Sequence, residues 1–286
     1  MNLHTRGKPG NPVVLLLPEG EADHEAVFAA LGGLEKSYYL MLPAFAAGED
    51  TAARLDALEK LLVRDHAGRV WGAYGLRSGA GLLLSLLSRG TVRVRTLILE
   101  GAYAPAAAPP AAEKIICWKG SRDKAAKKAW KALEEQVSPL SSLTMKKLKT
   151  EEDLLSLRPD MMVKQLKKAL GKTVIVTRSA VYTQPVDRVW RQLAGDRDAG
   201  VLTETEAPRQ DDTNRTLILE GRSPRLKRWS HLTHVEPLGI NGTVCTDQVE
   251  LDAGPLNFAA KPLAGLYLGQ LQRRRNKALW EDPYAV

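Results

Sequence analysis

Between residues 12 and 170, short runs of consecutive apolar residues alternate with stretches whose apolar positions recur every three or four residues. The runs Val13–Leu17, Tyr38–Leu42, Arg69–Tyr74, Val94–Glu100, Lys114–Trp118 and Leu143–Leu148 are predicted strands. Most are apolar in both phases and not only at every second residue, the pattern of a parallel sheet covered on both faces. Between them, Thr51–Arg64 brings Leu55, Leu58, Leu61 and Leu62 to one side of a helix. Asp160–Leu170 does the same with Met161, Val163, Leu166 and Leu170, and Gly171 suits its C-terminal cap. Strand–helix repetition of this kind predicts an α/β class with a doubly wound, mostly parallel sheet.

The pattern changes after Lys172. Thr173–Thr183 is β-branched and strand-like, and a short helix follows with Pro185 in its first turn and Val186, Val189, Trp190 and Leu193 as its apolar set. Further strands are predicted around Val201–Ala207, Arg215–Glu220, Leu226–Glu236 and Thr243–Leu251, with Asn241-Gly242 marking a hairpin. A helix over Phe258–Glu281 closes the chain. The reading is two domains, 1–170 and 172–286, the second an α+β module of antiparallel strands and helices.

Composition narrows the function classes. The chain has 286 residues, with 44% hydrophobic and 26% charged residues, as in ordinary globular domains. No apolar run approaches the roughly 18 residues that cross a bilayer, and Met1–Gly10 lacks a signal-peptide core, so a cytoplasmic location is expected. Cys117 and Cys245 both stand in apolar, strand-like text and read as buried, reduced thiols. Neither Cys nor His shows metal-ligand spacing; His231 and His234, three apart on a strand, point to opposite faces, so no metal or other cofactor is expected. The net charge of +8 equals the excess of 15 Lys and Arg over 7 Asp and Glu within residues 114–172. Its lysines are interspersed with acids on helical faces, which reads as a solvated surface and makes nucleic acid an improbable partner.

The segment Val70–Leu84, VWGAYGLRSGAGLLL, runs from an apolar strand through Gly75 into an apolar helix. Gly75 and Gly79 hold the two glycine positions of a G-x-S-x-G elbow, where close strand–helix approach excludes a Cβ. The central position is Arg77, and a guanidinium cannot act as nucleophile because it stays protonated. With this segment, residues 1–170 resemble the α/β-hydrolase family. NPVVLLLPEG (11–20) is similar to the strand and oxyanion loop, with Pro18-Glu19 in place of His-Gly. RVRTLILEGAYAP (93–105) is similar to the strand after the elbow helix, and the Ala/Pro-rich residues that follow leave no room for a helical cap. KIICWKGSRD (114–123) resembles the strand that delivers the triad acid, with Asp123 at that acid. LKTEEDLLSLRPD (148–160) resembles the final loop, with Thr150 or Glu151 where the family has histidine.

The resemblance therefore implies a hydrolase fold without its nucleophile, its base or its oxyanion loop; in a serine protease series, losing nucleophile or base costs on the order of 10⁶ in rate. Arg77, Asp123 and Glu151 become vestigial positions and no catalysis is expected of them. Arg77 is expected to pair with Asp123 and Glu151; the alternative is an anion pocket of Arg77, Ser78 and the helix N-terminus. A catalytic role shifted to Ser78, with His24 or His66 as base, needs residues outside the expected positions.

Residues 172–286 resemble the SRPBCC superfamily, the helix-grip fold of START, Bet v 1 and polyketide-cyclase-like proteins. The residues carrying this are PVDRVWRQL (185–193), RWSHLTHVEPLGINGTVCTDQVELDAGPL (228–256) and the closing helix ending QLQRRRNKALW (270–280). The resemblance implies a small apolar ligand between sheet and helix, with Trp190, Trp229, Phe258, Leu263, Leu266 and Tyr267 as candidate lining or, alternatively, as plain core. Arg273–Arg275 read as a solvated helix end. Three functions follow: a non-catalytic two-domain protein with a ligand-binding module; a hydrolase or lyase with a rewired site using Asp123, Glu151 and Arg77, or His231 or His234; and an interaction protein using the basic 114–172 face.

Overall fold

The structure, a computed structural model, describes residues 1–9, 11–20, 24–46, 48–104, 108–119, 124–136, 142–147, 158–171, 174–195, 204–205, 207–223, 226–252 and 254–281. The chain divides into two compact units, Met1–Gly171 and Lys172–Val286.

The first unit is a seven-stranded sheet in the order β1-β3-β2-β4-β5-β6-β7. Its strands are β1 (Asn2–Arg6), β2 (Val13–Leu17), β3 (Tyr39–Ala44), β4 (Arg69–Leu76), β5 (Arg93–Glu100), β6 (Ala112–Lys119) and β7 (Ser142–Lys147). From β3 to β7 all neighbours are parallel, while β1 pairs with β3 antiparallel. The doubly apolar runs are explained by two cores. Val13, Leu15 and Leu17 face one with α2 (Thr51–His66), α3 (Ser78–Ser88) and Leu133 of α4 (Lys124–Gln136). Val14 and Leu16 face the other with α1 (His24–Ala30) and α5 (Pro159–Leu170). The edge strand β1 was not foreseen. Its sequence NLHTR has no apolar run, and it is a strand because its backbone completes the free edge of β3. Lys124, Lys127, Lys128 and Lys131 of α4 are exposed, while Ala126, Ala129 and Leu133 turn inward.

The second unit is an antiparallel sheet in the order β10-β11-β12-β13-β8, with β9 added to β11. The strands are β8 (Val174–Tyr182), β9 (Glu204–Thr205), β10 (Arg209–Asp211), β11 (Thr216–Ser223), β12 (Leu226–Leu238) and β13 (Gly242–Asp252). β13 alternates strictly, with Thr243, Cys245, Asp247, Val249 and Leu251 inward. The helices are α6 (Val186–Gly195) and α7 (Asn257–Glu281). α7 lays Ala260, Ala264, Leu268 and Leu271 into a core shared with Val189 and Leu193 of α6. In the hairpin between β12 and β13 the left-handed residue is Gly239, at φ +65°, while a Cβ on Gly242 would stand 2.5 Å from the Leu238 carbonyl oxygen. The Asn-Gly signal thus marked the right turn, but the conformational demand sits three residues earlier.

Candidate functional site

β4 delivers Arg77 to a sharp turn at the start of α3, with φ +47° and ψ −105°, and the Arg77 amide donates to the Glu100 carbonyl at 2.9 Å. A non-glycine residue in this region stores about 1–3 kcal/mol of backbone strain. The flanking glycines are dictated by contact. A Cβ on Gly75 would lie 2.6 Å from Ala80 Cα, and one on Gly79 would lie 2.0 Å from the Leu17 carbonyl oxygen. This is a nucleophile elbow in backbone and packing, with a cation at its tip. Beneath it the buried Glu100 carboxylate accepts from the Tyr74 hydroxyl at 2.7 Å.

The Arg77 guanidinium reaches the Glu19 carboxylate, Nη1 to Oε2 at 2.6 Å, with both side chains a little under half exposed. The expected partners of Arg77, Asp123 and Glu151, lie outside the described residues, as does Thr150; among the described residues an acid that pairs with Arg77 is Glu19, from the loop after β2. An anion entering here meets a cation already held by a carboxylate. Around the elbow opens a cleft of about 970 Å³, whose walls include Pro18, Phe45, Arg54, Ser78, Tyr103 and Arg77 itself. Ser78 is exposed, and among the described residues nothing hydrogen-bonds its hydroxyl. His24 stacks on His4 in the cleft wall, ring centroids 3.7 Å apart. His66 is not among the cleft residues, and burial pulls its imidazole below the usual histidine range. Pro18 has no N–H to offer an oxyanion.

In the second unit, charge is buried. Asp247 Oδ1 accepts from His231 Nε2 at 2.9 Å, from Thr233 Oγ1 at 2.8 Å and from Arg275 Nη1 at 2.7 Å. Asp247 Oδ2 accepts from Gln272 Nε2 at 3.2 Å. Burial raises the Asp247 pKa, but the His231 hydrogen bond and the Arg275 charge outweigh it, holding the carboxyl well below the usual range. Trp229, His231 and Tyr267 meet edge to face, with centroids 5.6 to 6.2 Å apart. Near this cluster a pocket of about 210 Å³ is walled by Tyr182, Val189, Gln192, Leu193 and residues of α7 from Leu271 to Leu279. Burial pushes the Cys245 thiol up to about 12.

No family model and no curated protein matches the chain. Among solved structures, an α/β-hydrolase family protein from Desulfitobacterium hafniense is 15% identical with a TM-score of 0.50, over 59% of this chain and 100% of that one. The first unit has the α/β-hydrolase fold. Carboxylesterase CesB from Bacillus subtilis is 11% identical with a TM-score of 0.46, over 59% of this chain and 86% of that one. A START superfamily protein from Mycobacterium smegmatis is 11% identical with a TM-score of 0.29, over 37% of this chain and 97% of that one. Among the described residues no helix is long and apolar enough to cross a membrane.

The hydrolase-like unit thus brings together Arg77, Ser78 and the cleft, with Glu19 as the unforeseen member. In the second unit the candidate lining separates. Trp229 and Trp190 are buried and Tyr267 packs against the same core, with the Trp190 indole donating to Asp212 at 2.9 Å. Phe258, Leu263 and Leu266 are corrected: they are 81%, 62% and 65% exposed, on the side of α7 turned away from Ala260, Ala264 and Leu268. The reading of Arg273–Arg275 as a solvated end holds for Arg273 and Arg274, which are exposed, but not for Arg275, which is buried on Asp247. His231 faces inward and His234 outward, where it meets Thr216 and Glu236. Asp247 and Arg275 were missed, although both carry a signal. Asp247 falls in the inward phase of β13, and Arg275 lies four residues from both Leu271 and Leu279 on the buried side of α7.

Proposed function

We propose that the chain is a non-catalytic, ligand-binding protein: a hydrolase-like scaffold joined to a module that takes a small, largely apolar molecule. The observation that carries the first half is Arg77, which occupies the tip of an intact elbow and is tied to Glu19. An elbow positions a hydroxyl or thiol for attack, and a guanidinium performs no such step. The geometry supports a retained fold whose reaction has been lost. The second half rests on the 210 Å³ pocket, whose walls include Val189, Leu193, Leu271 and Leu279. That volume is below the roughly 300–1,000 Å³ of drug-sized sites, so it suits a molecule about one ring in size.

A panel of p-nitrophenyl esters tests the first half. The whole chain is expected to match buffer, with Ser78→Ala unchanged; saturable turnover abolished by that variant overturns the reading. Native mass spectrometry and thermal shift with small ring compounds test the second. A ligand-dependent rise in Tm supports it, and a flat response across the panel opposes it.

A further inference from the structure

Among the described residues, the cleft around the elbow is lined by Arg54, Arg77 and the stacked His4 and His24, and by no acid. Arg77 is paired with Glu19. Arg54 differs. It stands on the first turn of α2 and is partly exposed on the cleft wall. Its guanidinium lies 5.4 Å from the Phe45 ring centroid, and Nη2 donates one long hydrogen bond, 3.4 Å, to the Ala46 carbonyl in an exposed contact. Nε is buried without a hydrogen-bond partner, and among the described residues no carboxylate meets this cation. The acids just before α2 are engaged elsewhere: Glu49 accepts from the Ala46 amide and Asp50 from the Ala52 amide. The guanidinium is thus held by a ring and a carbonyl, and among the described residues its charge has no counterion.

The same cleft also has apolar walls. Phe45, Leu82 of α3 and Tyr103 after β5 line it while packing against the core beneath. We propose that this cleft binds an apolar monocarboxylate of two or more rings, whose carboxylate pairs with Arg54 and whose body lies on the apolar walls. Charge sets the head group: one guanidinium without an acid matches a single negative charge, and its planar fork suits a carboxylate. Space sets the size: the cleft holds about 970 Å³, room for a drug-sized molecule. This site lies in the first unit, so it extends the proposed function and does not rest on the pocket of the second.

Naphthoate is the probe, with naphthylmethanol as its neutral counterpart, titrated into the whole chain and followed by saturation-transfer NMR. Naphthoate is expected to bind more tightly than the alcohol. Arg54→Gln removes the cation and keeps a polar side chain, so it should weaken naphthoate about tenfold or more while leaving the alcohol unchanged, and Arg54→Lys should restore part of the loss. Because Arg54 has no ion pair among the described residues, Arg54→Gln is expected to keep the unliganded Tm, which separates lost binding from lost folding. Ser85→Trp, on the α3 wall of the cleft and checked for an unchanged Tm, narrows the cleft and should weaken both probes. The proposal is overturned if naphthoate ignores Arg54→Gln, if Ser85→Trp leaves both probes untouched, or if naphthoate fails to bind at concentrations on the order of 10 mM, far beyond a typical site's affinity. The ester panel and the ring-compound screen read the proposed function separately, so a failure here leaves that reading standing.

Discussion

Asp247 has no solvent exposure, yet its carboxyl is held below the usual carboxylate range, because His231, Thr233, Gln272 and Arg275 donate to its two oxygens. Such clusters are sensitive to the loss of one member, since the remaining charge is left uncompensated. Asp247→Ala should therefore destabilise the second unit by about 3–5 kcal/mol, read as a lower midpoint in urea with an unchanged slope. The pH dependence has a definite sign. The folded carboxyl titrates below the unfolded one, so between the two values the unfolded state binds more protons. The stability it contributes is complete above the ordinary Asp value of about 3.9 and is lost as pH falls toward the folded value. Acid titration of the wild type should show this loss, and Asp247→Asn should lack that component. The half-exposed pair of Arg77 and Glu19 belongs to another regime, since solvent-screened pairs contribute about 0–1 kcal/mol. It occupies the elbow without anchoring the fold.

The elbow shows how far local pattern reaches at the level of elements. An apolar strand, two glycines four apart and an apolar helix were enough to place β4, the turn and α3, because close packing of strand on helix leaves no room for a Cβ. Gly79→Ala puts a methyl against the Leu17 carbonyl, so it should cost about 1–3 kcal/mol or more, measured by thermal unfolding, whereas Gly90→Ala meets no atom within 4 Å and strains only its backbone. Elements without such a pattern were not legible. β1 is a polar pentapeptide made a strand by the edge it completes, and the three-residue β10 likewise owes its place to pairing with β11. On α7, apolar composition misled: Phe258 and Leu263 are apolar residues on the outer side, while the inner side carries Ala260, Ala264 and a buried arginine. Helical phase, and not residue type, decides which of them touches the sheet.

At the level of the whole molecule, each unit closes its own core. Two layers flank the parallel sheet of the first, and a third cluster is confined to the second. Fragments 1–171 and 172–286 are accordingly expected to unfold cooperatively when produced separately, each by a single transition in circular dichroism and fluorescence; a fragment that melts without a transition would refute this independence. By itself the sequence determined the class of both units, the places of the main strands along the chain and the arginine, Arg77, that stands at the tip of the elbow. Those features are written in local periodicity and in single residue types, which report backbone geometry and chemistry directly. Only the tertiary structure decided that Glu19 answers Arg77 and that Asp247, His231 and Arg275 share one buried site. These are meetings between residues 16 to 58 positions apart in the chain. Such pairings depend on register and on the face each element presents, and no short window of sequence contains them.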